Sequence, residues 1–216
     1  MQSLPIDVGL TGVARRSSLL LFVAAFVGPL LIFAALAVQV TDGSGPGWDG
    51  PVTHQLSKLG KPPIPTGTQR LVDNSQAAGA MLLVGLLLLL AARKRFRDTL
   101  FVTAAVAGVA IFEPLFKRAF ERQPPGDAEG FSFPSGSAMA SMAIVASVAV
   151  LAWPTRARWV VVLGGAALVF AFGAAIVILR WHYPSDVIAG WCIALVWVSA
   201  LSLLGRSRRF GGASTP

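Results

Sequence analysis

Two of the polar stretches that interrupt this apolar chain carry residue types able to bind an anion or attack an electrophile. The first runs Phe131-Ser132-Phe133-Pro134-Ser135-Gly136-Ser137-Ala138. Pro134, Ser135 and Gly136 mark a helix start: serine caps the first turn, proline suits the first helical residues, and glycine lets a ligand approach the backbone. The free N–H groups of that turn, at the positive end of the helix dipole, form an anion site. Lys117, Arg118 and Arg122 supply cations just upstream. The second stretch runs Arg180-Trp181-His182-Tyr183-Pro184-Ser185-Asp186. A histidine with a carboxylate four residues on can be an oriented base or nucleophile. Pro184 interrupts any helix between them, so Asp186 is expected to open the next helix and turn back to His182. On these residues alone two plainer readings stay open. Loops between membrane spans are polar and rich in Gly and Pro in any case, and Trp181, His182 and Tyr183 suit an interfacial aromatic belt with Asp186 as a helix cap.

The elements that must position these residues are membrane spans. Of 216 residues, 55% are hydrophobic and only 13% charged, with mean hydropathy +0.68, the composition of a membrane protein of one domain. Apolar runs at Ser17 to Val38, Ala77 to Ala92, Leu100 to Phe116, Ala138 to Trp153, Trp159 to Leu179 and Val187 to Leu204 predict six spans, against about 20 residues per crossing. The first resembles a signal peptide in having charges, an apolar core and small residues, but it is too long for one and other spans follow. Between the first two lies a polar loop, 41–76, rich in Gly and Pro. Within it Val52 to Leu59 suits a short amphipathic helix on the membrane surface, anchored by Trp48. His54 falls there and reads as a solvated loop histidine.

The net charge of +8 suggests nucleic acid at first sight, but the cations cluster at the ends of apolar runs, where they meet lipid headgroups, so no nucleic-acid partner is expected. Arg15, Arg16, the Arg93 to Arg97 cluster, Arg156, Arg158 and Arg206 to Arg209 all fall on the side of the two termini. The positive-inside rule makes that side the cytoplasm and turns both polar stretches and loop 41–76 outward. Lys117 and Arg122 then lie on the outer side against the rule's trend, for which an anionic ligand is a local reason. Cys192 lies in an apolar run and is the one cysteine, so it forms no intramolecular disulfide. No Cys/His cluster has zinc spacing, and neither a metal nor another cofactor is expected. The predicted fold is therefore all-α: a six-helix transmembrane bundle, one membrane domain over 1–216, with a short outward-facing amphipathic segment and site-bearing segments 117–137 and 180–186.

Together the two stretches resemble the type 2 phosphatidic acid phosphatase family, which is related to the vanadium haloperoxidases. The family pattern is Lys-x6-Arg-Pro, then Pro-Ser-Gly-His, then Ser-Arg-x5-His-x3-Asp. The literal matches are Pro134-Ser135-Gly136 and His182-Tyr183-Pro184-Ser185-Asp186 with Gly190 and Trp191 following; the likeness spans most of the chain in motif order, spacing and span number. It implies that His182 attacks phosphorus to form a phosphohistidine and that Asp186 orients it. It implies further that Lys117, Ser135 and Gly136 hold phosphate oxygens, and Pro125 matches the first motif's proline. The departures bear on chemistry. Pro124 stands where the first motif has arginine, Ser137 where the second has its general-acid histidine, and Ala175 and Ile176 where the third has Ser-Arg. A serine hydroxyl is far too weak an acid to replace that histidine, which leaves Ser137 only as a polar neighbour of the phosphate. Arg180 lies four residues after Ile176, one helical turn nearer the outer surface, and is a candidate replacement, although it also has the reach to snorkel to headgroups. Arg122, two residues before Pro124 in a Pro-rich loop, is a second. Glu113 and Lys117, four apart with the acid first, suit an ion pair.

The function expected is an integral protein of the cell membrane, multi-pass with both termini cytoplasmic. It would hydrolyse a lipid phosphate or diphosphate at the outer face through the histidine, with membrane lipids as its surroundings. Without a general acid a diphosphate, such as a prenyl diphosphate, suits the site better than a monoester, because phosphate is a better leaving group than an alkoxide. The alternative is a catalytically inactive member that binds a lipid phosphate or a membrane partner. A transporter has little support, since no inverted repeat is visible.

Overall fold

The structure, a computed structural model, describes residues 23–42, 45–60, 66–126 and 129–210. These form seven α-helices in the order α1 (Gly28–Thr41), α2 (Asp49–Ser57), α3 (Thr66–Ala92), α4 (Phe96–Phe120), α5 (Gly136–Ala152), α6 (Arg158–Ile178) and α7 (Pro184–Phe210). A π-helical turn, Val23–Val27, leads into α1, and a 3-10 turn, Lys58–Gly60, follows α2. No strand occurs among the described residues. The protein is an all-helical membrane protein, as expected from its apolar runs. Four stretches are long and apolar enough to cross a membrane: Ala24–Thr41, Phe96–Phe120, Arg158–Ile178 and Pro184–Gly205. The other two expected spans are the shorter apolar helices Gly79–Ala92 and Gly136–Ala152.

Boundaries differ in two informative places. The first expected span starts at Ser17, but residues 17–22 lie outside the described residues. The second begins not at Ala77 but at Thr66. No proline occurs between Pro65 and Pro114, and Gln69, Arg70 and Leu71 are good helix formers, so the polar residues before the apolar run extend the helix. The short helix expected at Val52 to Leu59 forms at Asp49–Ser57 and continues as the 3-10 turn.

The core explains why α5 is central although it is short. At 1.5 Å per residue its 17 residues span about 25 Å. It packs on α4, α6 and α7. Ala105 and Val109 of α4, Met139 and Ala143 of α5, and Ile193, Ala194 and Val198 of α7 form one buried cluster. The alanines let the backbones approach closely, which is how helices associate where lipid gives no hydrophobic drive. Trp197 ties α7 to α4 by donating from Nε1 to the Ala104 carbonyl at 3.1 Å. An aromatic group of Phe33, Phe116, Phe120 and Phe133 locks α1 and α4 to the segment leading into α5. Leu31, Leu82, Val160, Leu168 and Phe170 are exposed on the outside of the bundle, the placement of side chains that face lipid tails.

Candidate active site

The site is built where α5 begins against the first turns of α7. Ser135 has extended backbone and caps α5, its Oγ accepting from the Ala138 N–H at 3.4 Å. Its own N–H donates to the Asp186 carbonyl at 3.0 Å, which joins the two polar stretches through the backbone. Ser132 closes the loop beneath by donating from its N–H to the Arg122 carbonyl at 2.8 Å. Ser132, Phe133, Pro134, Ser135 and Gly136 are all buried. The approach of α7 depends on Gly190, where a Cβ would lie 2.6 Å from the Ser135 carbonyl oxygen. Backbone cannot swing aside as a side-chain tip does. Gly190→Ala is therefore expected to destabilise the protein by about 1–3 kcal/mol, the cost of overpacking. Denaturant unfolding of the purified protein in detergent checks this, and a change within error would show that the junction yields.

Pro184 occupies the first position of α7, where its missing N–H costs nothing. Asp186, two residues on, reaches back so that its Oδ2 accepts from the Tyr183 N–H at 2.8 Å, the acid arm of a capping box. His182 is thus held just outside the helix. Its Nδ1 lies 2.9 Å from the Ser132 carbonyl oxygen and 3.7 Å from Asp186 Oδ2. A carbonyl only accepts, so this contact requires the proton on Nδ1 and leaves the Nε2 lone pair free in the neutral ring. The expected turn of Asp186 toward His182 is present, but the hydrogen bond that orients the ring goes to Ser132.

Arg122 has other partners than a phosphate. Nη1 donates to Asp186 Oδ1 at 2.6 Å and to Ser185 Oγ at 2.7 Å, and Nη2 donates to Asp49 Oδ2 at 2.7 Å. Its guanidinium also stacks 4.2 Å from the centre of the Tyr183 ring. Asp49, buried at the start of α2, closes the cluster by accepting from the Ser185 N–H at 3.0 Å and from the Ser185 hydroxyl. Sequence reading missed Asp49. The signal it carried was a carboxylate opening a short helix beside an anchoring tryptophan.

Lys117 and Glu113 pair at 2.8 Å, as their spacing predicts. Glu113 also rests against α5: a Cβ on Gly136 would collide with its carboxyl group. A carboxylate thus sits at the positive end of α5 and carries Lys117 to the same place. Lys117 is thus placed, through Glu113, near the Gly136 start of α5, and the His182 loop is joined to the same start through Ser132 and Ser135. Ser137, next along α5, is half-buried.

Arg180 does not continue the helical face of Ile176. Helix α6 ends in a Schellman motif: the Trp181 N–H donates to the Ile176 carbonyl at 3.1 Å and the Arg180 N–H to the Val177 carbonyl at 2.9 Å. Arg180 takes the left-handed position with φ +59°, where glycine is usual. Its side chain turns out of the helix, and Nη2 donates to the Pro125 carbonyl at 2.7 Å, while Ile176 is buried in the core. Arg180 and Ile176 therefore do not share a helical face, contrary to the expectation from their spacing, because α6 ends at Ile178.

This fold has a known counterpart. The chain resembles the crystal structure of the first transmembrane PAP2 type phosphatidylglycerolphosphate phosphatase from Bacillus subtilis, with TM-score 0.66 and 19% identity over 89% of this chain and 98% of that one. At that identity the likeness is one of fold. No curated protein sequence matches the chain. The family model of the PAP2 superfamily matches residues 113–209, the segment from Glu113 through both polar stretches to the end of α7. The motifs, the helical architecture and this match agree: residues 113–209 are similar to the PAP2 superfamily, over a little less than half of the chain.

Proposed function

We propose that the protein is a PAP2-type hydrolase that removes the terminal phosphate of a lipid diphosphate, with His182 as nucleophile. The observation that carries this reading is the His182 ring. With Nδ1 donating to Ser132, Nε2 is the atom that attacks phosphorus. Lys117, the Ser135–Gly136 turn of α5 and the Arg180 guanidinium hold phosphate oxygens, and Ser137 adds a hydroxyl. The Ser132 carbonyl and Asp186 stabilise the ring as it takes up positive charge, and Arg122 holds Asp186 in turn. The P–N bond forms as the P–O bond to the leaving group breaks, and water then releases phosphate from the phosphohistidine. No histidine stands at 137 to protonate the leaving oxygen. A lipid monophosphate leaves without help because its own second pKa is about 6, whereas an alkoxide does not.

The orientation proposed puts the site at the outer face of the cell membrane. The site turns follow α4 and α6, while the basic turns Arg93 to Arg97 and Arg156 to Arg158 follow α3 and α5. The test is a phosphohistidine trap with terminally labelled lipid diphosphate. The wild type is expected to take up acid-labile label, and His182→Asn to lose it together with more than about 10³-fold of phosphate release. Absence of both label and turnover in the wild type would support a second reading, a phosphate-binding member without activity. The pairing of Lys117 with Glu113 favours that reading, because it engages a cation the reaction uses.

A further inference from the structure

A cleft of about 170 Å³ opens beside the His182 loop, between α2 and the turn from α6 to α7. Thr53, His54 and Ser57 of α2 line one side, and Pro125, Arg180 and Tyr183 the other. That volume admits several waters or a tetrahedral oxyanion. Thr53 is only 4% exposed, yet its hydroxyl has no hydrogen-bond partner. A buried hydroxyl left unpaired is costly, so a buried donor that lines a cleft points to an acceptor arriving from outside. Arg180 also lines the cleft with its charge uncompensated: its hydrogen bond is to a neutral carbonyl, and no carboxylate forms an ion pair with it among the described residues. Among the described residues no acid lines the cleft, and Asp49, on the same short helix, is turned to Arg122. His54, which is exposed and ionisable, completes a rim of donors. His182 lies in sequence between two lining residues, Arg180 and Tyr183.

We propose that this cleft is the subsite for the second phosphoryl group of the substrate, the one that departs with the lipid. This rests on the diphosphate reading of the His182 site and deepens it. As Nε2 of His182 bonds to the terminal phosphorus, the electron pair of the breaking P–O bond passes to the bridging oxygen, which departs as part of the lipid monophosphate. Arg180, Thr53 and His54 meet that growing negative charge with donors already in place, the role an absent general acid leaves open. A separate headgroup phosphate has the same chemistry, and linked and unlinked probes distinguish the two sources.

The test is binding of inorganic pyrophosphate and of inorganic phosphate to the purified full chain in detergent, read by calorimetry. It is run in the wild type and in His182→Asn, where the nucleophile is gone. Pyrophosphate is expected to bind at least tenfold tighter than phosphate in both. Thr53→Val and His54→Gln should bring the two ligands to within about twofold by weakening pyrophosphate alone, and Thr53→Ser, which keeps the hydroxyl, should retain the preference. Because His182→Asn cannot turn over, a failed phosphohistidine trap leaves this result standing on its own. Equal affinity for both ligands in the wild type, or a preference that survives Thr53→Val and His54→Gln intact, would overturn the subsite.

Discussion

Arg122→Ala is expected to cost about 3–5 kcal/mol of folding stability, the range for breaking a buried ion pair from one side. The guanidinium side chain is 12% exposed, and the carboxylates it joins, Asp49 and Asp186, are 3% and 0% exposed. Removing it strands two negative charges close together, held by the Ser185 and Tyr183 donors without a cation. Each carboxylate deleted alone leaves Arg122 its other partner, so Asp49→Ala should cost less than Arg122→Ala. The double variant should cost less than the sum of the two, because the second change removes one of the stranded charges. Arg122→Lys should recover little, since one ammonium cannot span two carboxylates and a serine in the fork geometry seen here. Denaturant unfolding of the four proteins in detergent gives the cycle. A loss below about 1 kcal/mol for Arg122→Ala would mean that water screens the cluster as it does a surface pair. Activity should fall with stability, because Asp186 sits in both the clamp and the His182 loop.

That clamp also marks the limit of what the sequence discloses. The helices were legible because apolar runs and proline breaks are local signals, and the start of α5 because Pro134-Ser135-Gly136 carries its own capping chemistry. His182 and Asp186 were legible because one turn of chain sets their spacing. The short helix near residue 52 could be read for the same reason. Asp49 and Arg122 are separated by 73 residues, and nothing near either announces the other. Arg122 was therefore read as a free cation for phosphate, when folding delivers two carboxylates to it. Arg180 was misplaced for a different reason. A face shared with Ile176 requires α6 to continue past Leu179, but the Schellman turn ends it, and an arginine in the left-handed position gives no warning where glycine is the usual mark. Glu113 was legible as the partner of Lys117, yet its place against Gly136 depends on the packing of α4 on α5.

Ser137→His is expected to raise phosphate release from a lipid monophosphate by about 10²- to 10⁴-fold, the range for gaining a positioned general acid. Ser137 is the second residue of α5, one step past the Gly136 on which Glu113 rests, and lies at the helix start that abuts the His182 loop. A histidine there has an unperturbed pKa of about 6.5, suited to giving a proton to an alkoxide near neutral pH. The diphosphate has little use for that proton, because its leaving oxygen belongs to a phosphate whose second pKa is about 6. Its rate should change by less than about tenfold. Folding is verified first by denaturant unfolding, and release is then measured on both lipid classes with wild type and variant side by side. A selective gain on the monoester ties the substrate preference to the residue at 137. An equal gain on both classes would sink the leaving-group argument and leave the fold and the His182 site untouched. Silence from both proteins on both classes would favour the binding-protein reading, since a restored acid cannot help a site that no longer positions phosphorus against Nε2 of His182.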